Sequence, residues 1–374
     1  MKCTFDYVIV GAGISGCSVA YELSKSTKNI LLIDKLPNIA SGASGAAGAF
    51  LSPLLGKPNY FKDLVANSLR YSTKLYKSTF PNIIANCGTT RIPKNIEDQE
   101  KFKDYIPHMD FSYQKENDGF LFHIGSVVNS FGVCKMMTTS FSNQQSKVET
   151  KFNYDVKELS YENEIWTLNN EYQAKNLILT TGASIDLLDE FYLKIRPVWG
   201  RRIDIKTSTK LEHNYHKDCS ISKSFKIDEN IYQVSIGATH HRDFDGIKDI
   251  DEENKKLLEK AQKIVELKDV EITKNYAGAR ACSIDYLPIV GEVIDSKKTL
   301  KEFPYMKKGT HVDPKRFSRY KNLYLLNGVG GRGFVLAPYL AKQLVDHLLK
   351  NTAIDENIKV DRLFSREVKR ESSE

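Results

Sequence analysis

No stretch of the sequence approaches the ~20 consecutive apolar residues that a bilayer-spanning helix needs. A secretory leader would place a small-residue cleavage site after its apolar run, yet here Tyr7 to Val10 leads straight into glycines. Both absences give the expectation of a soluble, cytoplasmic protein with no membrane association. Cysteines are few and scattered, at Cys3, Cys17, Cys87, Cys134, Cys219 and Cys282, and no two form a CxxC pair. That spacing argues against a disulfide scaffold and a zinc ribbon. His213 and His216 are three apart and His240 and His241 are adjacent, with no cysteine or carboxylate at ligand spacing. No metal site is expected. Charge of one sign is also scarce. Fifty-four Lys plus Arg against 47 Asp plus Glu leave a net charge of +7, far short of a histone-like nucleic-acid binder. No internal repeat is visible.

What is present fits a globular chain of two domains. The 374 residues correspond to roughly two units of about 150 residues. Apolar residues make up 41% and charged residues 27%, enough for a packed core under a polar surface. Phe5 to Val10 reads as a buried strand, Ile14 to Ser24 as a helix, and Ile30 to Ile33 as a second strand ending at Asp34. Residues 37–59 are dense in Gly, Ala, Ser and Pro. Further along, the pattern predicts a helix over Tyr60 to Tyr76, an irregular polar region over 86–122 and a helix over Val133 to Phe141. Val148 to Leu168 alternates and predicts a small antiparallel meander. Leu177 to Leu179 is a buried strand, and strands are predicted through 193–240. Asp251 to Leu267 has Leu257, Leu258, Ala261, Ile264 and Val265 on one helical face. Leu323 to Leu326 is a late strand. The last helix is predicted over Ala337 to Leu349, with Pro338 in its first turn. Charges mix from Lys359 onward, and residues 366–374 read as a frayed tail.

The first 34 residues carry a specific pattern. Gly11-Ala12-Gly13-Ile14-Ser15-Gly16 sits between a strand and a helix, and Asp34 ends the next strand 18 residues after Gly16. Gly11 permits the tight turn, Gly13 admits a pyrophosphate and Gly16 lets helix and sheet approach. The helix N-terminus offers free N–H groups to phosphate, and a carboxylate at Asp34 can accept hydrogen bonds from both ribose hydroxyls. In this context a dinucleotide is expected. A second glycine turn, Gly328-Val329-Gly330-Gly331-Arg332-Gly333, again lies between a strand and a helix, roughly 300 residues later. A chain that returns so late to its cofactor suits FAD, which is long enough to need several contacts. Ser41-Gly42-Ala43-Ser44-Gly45 is a third candidate cradle. Ordinary turns are the alternative reading of these later glycines.

Taken together, these residues resemble the D-amino-acid oxidase superfamily of FAD enzymes, which includes glycine and sarcosine oxidases. The resemblance spans the N-terminal fingerprint, the Ser41 to Gly45 loop, Leu177-Ile-Leu-Thr-Thr-Gly-Ala183, Gly278-Ala-Arg280, Asp285-Tyr-Leu-Pro288-Ile-Val-Gly291, and Leu323 to Pro338. A closer resemblance is to the FAD oxidoreductase half of the bifunctional tRNA 5-methylaminomethyl-2-thiouridine biosynthesis enzymes. Four stretches carry it: Ala40 to Gly45 with Leu51 to Leu55; Ile195-Arg-Pro-Val-Trp-Gly200; Ile236-Gly-Ala-Thr239 with Arg242-Asp243 and Asp251-Glu-Glu253; and Arg280 to Pro288. Two departures lie near the expected flavin ring. Ala46-Ala-Gly-Ala-Phe50 stands where more polar residues are expected, and Gly331 stands where serine is expected. The methyltransferase half of that family has no counterpart here, which leaves a separate methyltransferase as a candidate partner.

The resemblance implies an α/β fold with an α+β second domain. A Rossmann-like FAD-binding domain (1–85, 123–192 and 275–352) would interleave with a mostly antiparallel β substrate domain (86–122 and 193–274), followed by a C-terminal tail (353–374). It adds Lys35, Ser41, Ala43, Ser44, Gly45, Val156, Thr181 and Gly182 to the cofactor-binding candidates Gly11, Gly13, Ile14, Ser15, Gly16, Asp34, Gly328, Gly330, Gly331, Arg332 and Gly333. The implied substrate is the carboxymethylaminomethyl group of a tRNA wobble uridine, chemically an N-substituted glycine. Oxidation of the carbon between amine and carboxylate gives an imine, and its hydrolysis releases glyoxylate and the aminomethyl uridine. Arg280 is the implied carboxylate ligand, since guanidinium can grip a carboxylate with two parallel hydrogen bonds. Arg332 is a second candidate, beside the flavin or on the same carboxylate. A structural ion pair, for Arg280 with Asp285, is the alternative for each. No catalytic base emerges, and solvent could take the amine proton.

Local charge adds a partner surface. Lys297 to Lys321 holds nine basic residues against Glu302 and Asp313, and Arg196 to Lys226 holds eight against three acidic residues. Phe303, Tyr305, Phe317 and Tyr320 are interleaved in the first stretch, a composition suited to phosphate contact and base stacking. Lys307, Lys308, Lys315, Arg316 and Arg319 are the nucleic-acid contact candidates, with a solvated loop as the bland alternative. Two other functions stay open: an oxidase of free glycine, sarcosine or another small amino acid, and a non-catalytic flavoprotein that binds tRNA.

Overall fold

A computed structural model describes residues 3–26, 29–139, 147–242 and 249–371. The first strand, β1 (Cys3–Val10), is the centre of an eight-stranded sheet. The glycine turn leads from β1 into the helix α1 (Ile14–Ser24), and β2 (Asn29–Ile33) returns parallel to β1. On the other side β1 pairs in parallel with Tyr172–Leu179, which pairs in parallel with Arg319–Asn327. Strand Ile289–Ile294 closes that edge, antiparallel. Side chains alternate between the two faces, as a strand's period of two requires. Ile9, Ile30, Leu32 and Ile178 face a layer of helices, while Val8, Val10, Leu31, Ile33, Leu177 and Leu179 face the opposite core. Burial on both faces explains why these strands read as continuous apolar runs.

The stretch predicted as a meander divides. Lys147–Lys151 pairs in parallel with β2, and only the Leu159–Glu162/Ile165–Leu168 hairpin is antiparallel, feeding into Tyr172–Leu179. Alternation is the same for either partner direction, so it could not separate them. The last large helix begins at Gly333, ahead of the predicted start, which puts Pro338 inside it. Proline has no N–H to give the carbonyl four residues back. The Tyr76 hydroxyl supplies that bond, donating to the Phe334 carbonyl at 2.9 Å, and the Ser72 hydroxyl donates to the Val335 carbonyl at 2.7 Å. Both belong to the Tyr60–Thr79 helix, whose N-terminus is capped by the Asn59 side chain.

The tail is not frayed over its described part. Residues Asp361–Glu371 form a helix that buries Leu363, Phe364 and Val368 under the first sheet, with Phe364 against Tyr192 and Phe317. Its many charges hid three apolar positions on one helical face. Residues 372–374 lie outside the described part.

A second, nine-stranded sheet runs Glu271–Ser283, Ile195–Thr207, Ile231–Gly237, Ser220–Ile221, Asn214–His216, Thr89–Arg91, Gly119–Phe122 and Tyr113–Glu116, with Phe225–Asp228 alongside. Its pairings are antiparallel except Asn214–His216 with Thr89–Arg91. The polar 86–122 region is therefore ordered, with three strands and the helix Ile96–Tyr105. Short strands built on buried Thr89 and Thr90 give little apolar signal. Glu271–Ser283 stays in this sheet past the boundary expected at residue 275. The helix Ile250–Gln262, capped by Asp249, packs Leu257 and Ala261 on Ile203, Val234 and Ile236. Among the described residues no helix is long and apolar enough to cross a membrane.

Candidate active site

A cleft of about 500 Å³ opens where the C-terminal ends of the first sheet meet the Glu271–Ser283 and Ile195–Thr207 strands of the second. The C-terminal edge of a parallel sheet is where ligands of open α/β folds bind. Gly13, Ile14, Ser15, Ala43, Ser44 and Gly182 line it, together with Gly328, Gly330, Gly331, Arg332 and Gly333 from the late turn and Arg280. The three glycine segments, far apart in sequence, thus share one cavity.

Beneath this lining the fingerprint packs as tightly as its residue types demand. Gly11 has a φ of +109°, and a Cβ there would lie 2.4 Å from the Thr180 carbonyl oxygen. At Gly16 it would lie 1.9 Å from the Gly11 carbonyl oxygen. Side chains at either position would push helix and strand apart and close the approach to the α1 N-terminus. The Ile14 N–H at that N-terminus donates to the Ser44 hydroxyl at 2.9 Å. Asp34 accepts from the Ala12 N–H at 2.6 Å and the Leu36 N–H at 2.8 Å, one on each oxygen. A carboxylate offers about four acceptor positions, so each oxygen keeps one for a ribose hydroxyl. This donor and acceptor set fits FAD, with Gly13 to Ser15 and Ser44 the residues that would hold phosphates and Asp34 the one that would hold a ribose.

Other candidates stand back from the cleft. Lys35 is exposed, with its ammonium 2.9 Å from the Ser184 hydroxyl, and the Thr181 hydroxyl donates to the Ser184 carbonyl. Val156 is buried in the core beneath the first sheet, on a segment whose Tyr154 N–H donates to the Asp34 carbonyl. Ser41 is exposed, and Gly45 packs on the Ala40 carbonyl. The apolar run departing from the family pattern, Ala46 to Phe50, lines the cleft directly, as does Gly331.

Arg280 is half-buried. Its Nη1 donates to the Thr239 carbonyl at 3.2 Å and lies 3.3 Å from the His240 Nδ1. The guanidinium lies against Gly200, where a Cβ would come 2.5 Å from its Nη2. Asp285, the alternative partner, is held instead by a fork from Arg362. Arg332 donates to the Ser52 carbonyl at 3.0 Å, and burial lowers its pKa to about 10. No described carboxylate lies within 4.0 Å of Arg280 or Arg332.

Several lining residues carry no signal in the sequence. Arg91 and His216 enter from paired strands of the second sheet, and His240 follows the Ile231–Gly237 strand. Burial, then the positive charge of Arg280 and Lys260, lowers the His240 pKa to about 4. Arginine is only a donor, so His240 Nδ1 accepts and its Nε2 carries the proton. His241, next along, joins Glu253 on the Ile250–Gln262 helix at 2.8 Å. Tyr286 stands at the cleft mouth, 50% exposed, with the Arg196 guanidinium 5.2 Å from its ring centre. The histidine pairs are visible in the sequence and no metal is expected at them, but their spacing alone gives no sign of a cleft wall.

The nucleic-acid candidates lie elsewhere. Lys307, Lys308, Lys315 and Arg316 are exposed on two short turns, and Arg316 covers the Phe303 ring. Arg319 is half-buried and engaged with Asp361 and, at 3.4 Å, Glu292. That removes it as a free phosphate ligand. Asp243 lies outside the described residues.

Comparison with known proteins bears on the family and the fold. The chain is 22% identical over 372 residues to the tRNA 5-methylaminomethyl-2-thiouridine biosynthesis bifunctional protein MnmC of Vibrio campbellii, covering 91% of this chain and 55% of the relative. It is 25% identical over 351 residues to the protein of the same name from Campylobacter jejuni, covering 90% and 54%. The chain spans about half the length of these curated relatives. The crystal structure of glycine oxidase from Geobacillus kaustophilus superposes with a TM-score of 0.73 at 16% identity, over 96% of this chain and 99% of that one. Residues 6–347 match the family model DAO, FAD dependent oxidoreductase. The chain belongs to the FAD-dependent oxidoreductase family, and FAD is its cofactor.

Proposed function

We propose that this chain oxidises the carboxymethylaminomethyl side chain of a tRNA wobble uridine, releasing glyoxylate and leaving the aminomethyl group. The observation that carries the reading is Arg280, a half-buried guanidinium in the cleft wall beside the late glycine turn, with no described carboxylate partner. A desolvated cation of this kind calls for an anion, and the carboxylate of an N-substituted glycine supplies one. Bound FAD supplies the hydride acceptor. Arg280 fixes the carboxylate and hence the carbon beside it. His240, neutral at ordinary pH, accepts from Arg280 and holds the fork in place without competing for the carboxylate as a second cation. Ala46 to Phe50 and Phe61 line much of the remaining wall and limit water at the reacting carbon. The amine proton leaves to solvent through the open mouth.

Support for a tRNA substrate comes from the curated relatives. It also comes from Tyr286, an exposed ring at the cleft mouth beside Arg196 that is placed to stack on a base. The test is nucleoside analysis of undermodified tRNA before and after incubation with the purified holoprotein. Carboxymethylaminomethyl uridine should fall and the aminomethyl form and glyoxylate rise in step. Arg280→Ala should keep its yellow cofactor and lose this turnover. Unchanged tRNA, with flavin bleached anaerobically by glycine or sarcosine, would replace the reading with a small-amine oxidase. Bleaching by neither substrate would leave a tRNA-binding flavoprotein without this activity.

A further inference from the structure

One cluster in the cleft is not used by the chemistry above. Arg91 ends the Thr89–Arg91 strand and is the register partner of His216 on the parallel Asn214–His216 strand. Its Nη1 donates to the Pro53 carbonyl at 3.1 Å, while Arg332 Nη1 donates to the neighbouring Ser52 carbonyl at 3.0 Å. Two guanidinium groups, one from each sheet system, are therefore anchored on successive peptide units of one loop. Each has five N–H donors, and the described residues take one from each. The Arg91 Nε is buried with no partner. No described carboxylate comes within ion-pair distance of either group. The one acidic residue among the described lining residues, Asp218, is exposed, and Asp98 acts on Arg91 only at longer range.

Placing two like charges side by side in a poorly solvated wall is costly without a counter-ion. Burial and the Arg332 charge push the Arg91 pKa down to about 9. His216, the register partner of Arg91, is driven well below its ordinary range by burial, then by Arg91 and Arg332. It stays neutral and adds no third charge. Arg280 is anchored separately, on Thr239 and His240. A free glycine or sarcosine has a single carboxylate and would satisfy only one of the two cationic centres.

We propose that Arg91 and Arg332 form a second anion subsite of the cleft, so that the substrate class is an N-carboxymethyl amine bearing another anionic oxygen group. This rests on the reading of Arg280 as the carboxylate ligand. A nucleotide phosphate and a second carboxylate share the required chemistry. Fork-shaped donors on adjacent carbonyls suit either one.

The experiment measures binding to the oxidised holoprotein, by perturbation of the flavin spectrum and by thermal shift. The probes are acetate, the dicarboxylates malonate, succinate and glutarate, and 3-phosphonopropionate. At least one doubly anionic probe should bind tenfold or more tightly than acetate. Arg91→Ala should collapse that preference toward unity. Arg91→Lys, which keeps a charge and loses the fork, should restore part of it. Arg280→Ala should weaken acetate and the double anions alike. Preference for the phosphonate identifies a phosphate site, and preference for a dicarboxylate identifies a second carboxylate site. A wild-type protein that binds every probe no better than acetate overturns the proposal, without relying on any variant. An undiminished preference in a folded, yellow Arg91→Ala protein overturns it as well. Failure of the tRNA reaction would show in the nucleoside assay and leave these binding ratios unmoved.

Discussion

The two cleft histidines titrate in a predictable direction. His216 is lowered well below 6.5, and His240 to about 4, each chiefly by burial and then by neighbouring cations. Above pH 6.5 both are neutral whether the chain is folded or not, and their neutral burial carries no penalty. Below 6.5 the unfolded chain takes up protons that the folded protein refuses, so stability falls as pH drops toward about 4. Asp285 shifts the same way for a different reason. Burial works against its charge, but Arg362 prevails and lowers its pKa below 3.8, so its contribution is lost only in stronger acid. The thermal midpoint should therefore fall between pH 7.5 and pH 5. His216→Gln should shrink that fall. An identical decline in wild type and variant would remove His216 from the account. At this scale the sequence was legible wherever spacing fixes chemistry, as for Gly11, Gly16 and Asp34. It was silent on Arg91, which reaches His216 only through strand pairing across 125 residues of chain.

Among the elements, the Gly333–Lys350 helix shows how an interior proline is accommodated. The Phe334 carbonyl loses its helical donor to Pro338 and gains one from fully buried Tyr76. Tyr76→Phe keeps the ring and its packing but leaves that carbonyl without its donor. The expected cost is about 1–3 kcal/mol, read as a lower urea midpoint at unchanged slope. A variant as stable as wild type would show that the carbonyl is satisfied in another way. Helix boundaries were the least legible features of the sequence. The Gly333 start falls where glycine and arginine carry no helical periodicity, and the Asp361–Glu371 helix buries only three apolar side chains, Leu363, Phe364 and Val368, beside the charged Asp361 and Glu367. Packing against Tyr192 and Phe317 decides its fate, and neither neighbour is near in sequence.

Over the whole molecule, charge is distributed rather than abundant. The +7 excess of the chain equals the excess within Lys297 to Lys321. Part of that stretch is occupied internally, with Lys297 on Asp189 and Arg319 on Asp361 and Glu292. Lys307, Lys308, Lys315 and Arg316 remain at the surface, on turns packed beside the C-terminal helix. Under the proposed function, replacing these four by glutamine should weaken tRNA binding and flatten its salt dependence. Each lysine or arginine that no longer neutralises a phosphate takes roughly 0.7–0.9 off the slope. Affinity and slope both unchanged would place the tRNA on another face. The sequence showed the patch as a count, but its availability depended on which acids the fold brings to it.

The strand order has a consequence for how the protein comes to exist. The earliest strand, β1, is central, and the sheet is completed only when Arg319–Asn327 pairs beside Tyr172–Leu179. Chains emerge from the ribosome N-terminus first. The Gly11 to Gly16 fingerprint is thus synthesised well before the turn at Gly328 to Gly333 that lines the same cleft. A nascent chain stalled before residue 319 would hold the fingerprint but lack a finished wall for the cofactor. The cleft is therefore closed only when its last glycine loop has been made, not built up as each loop appears.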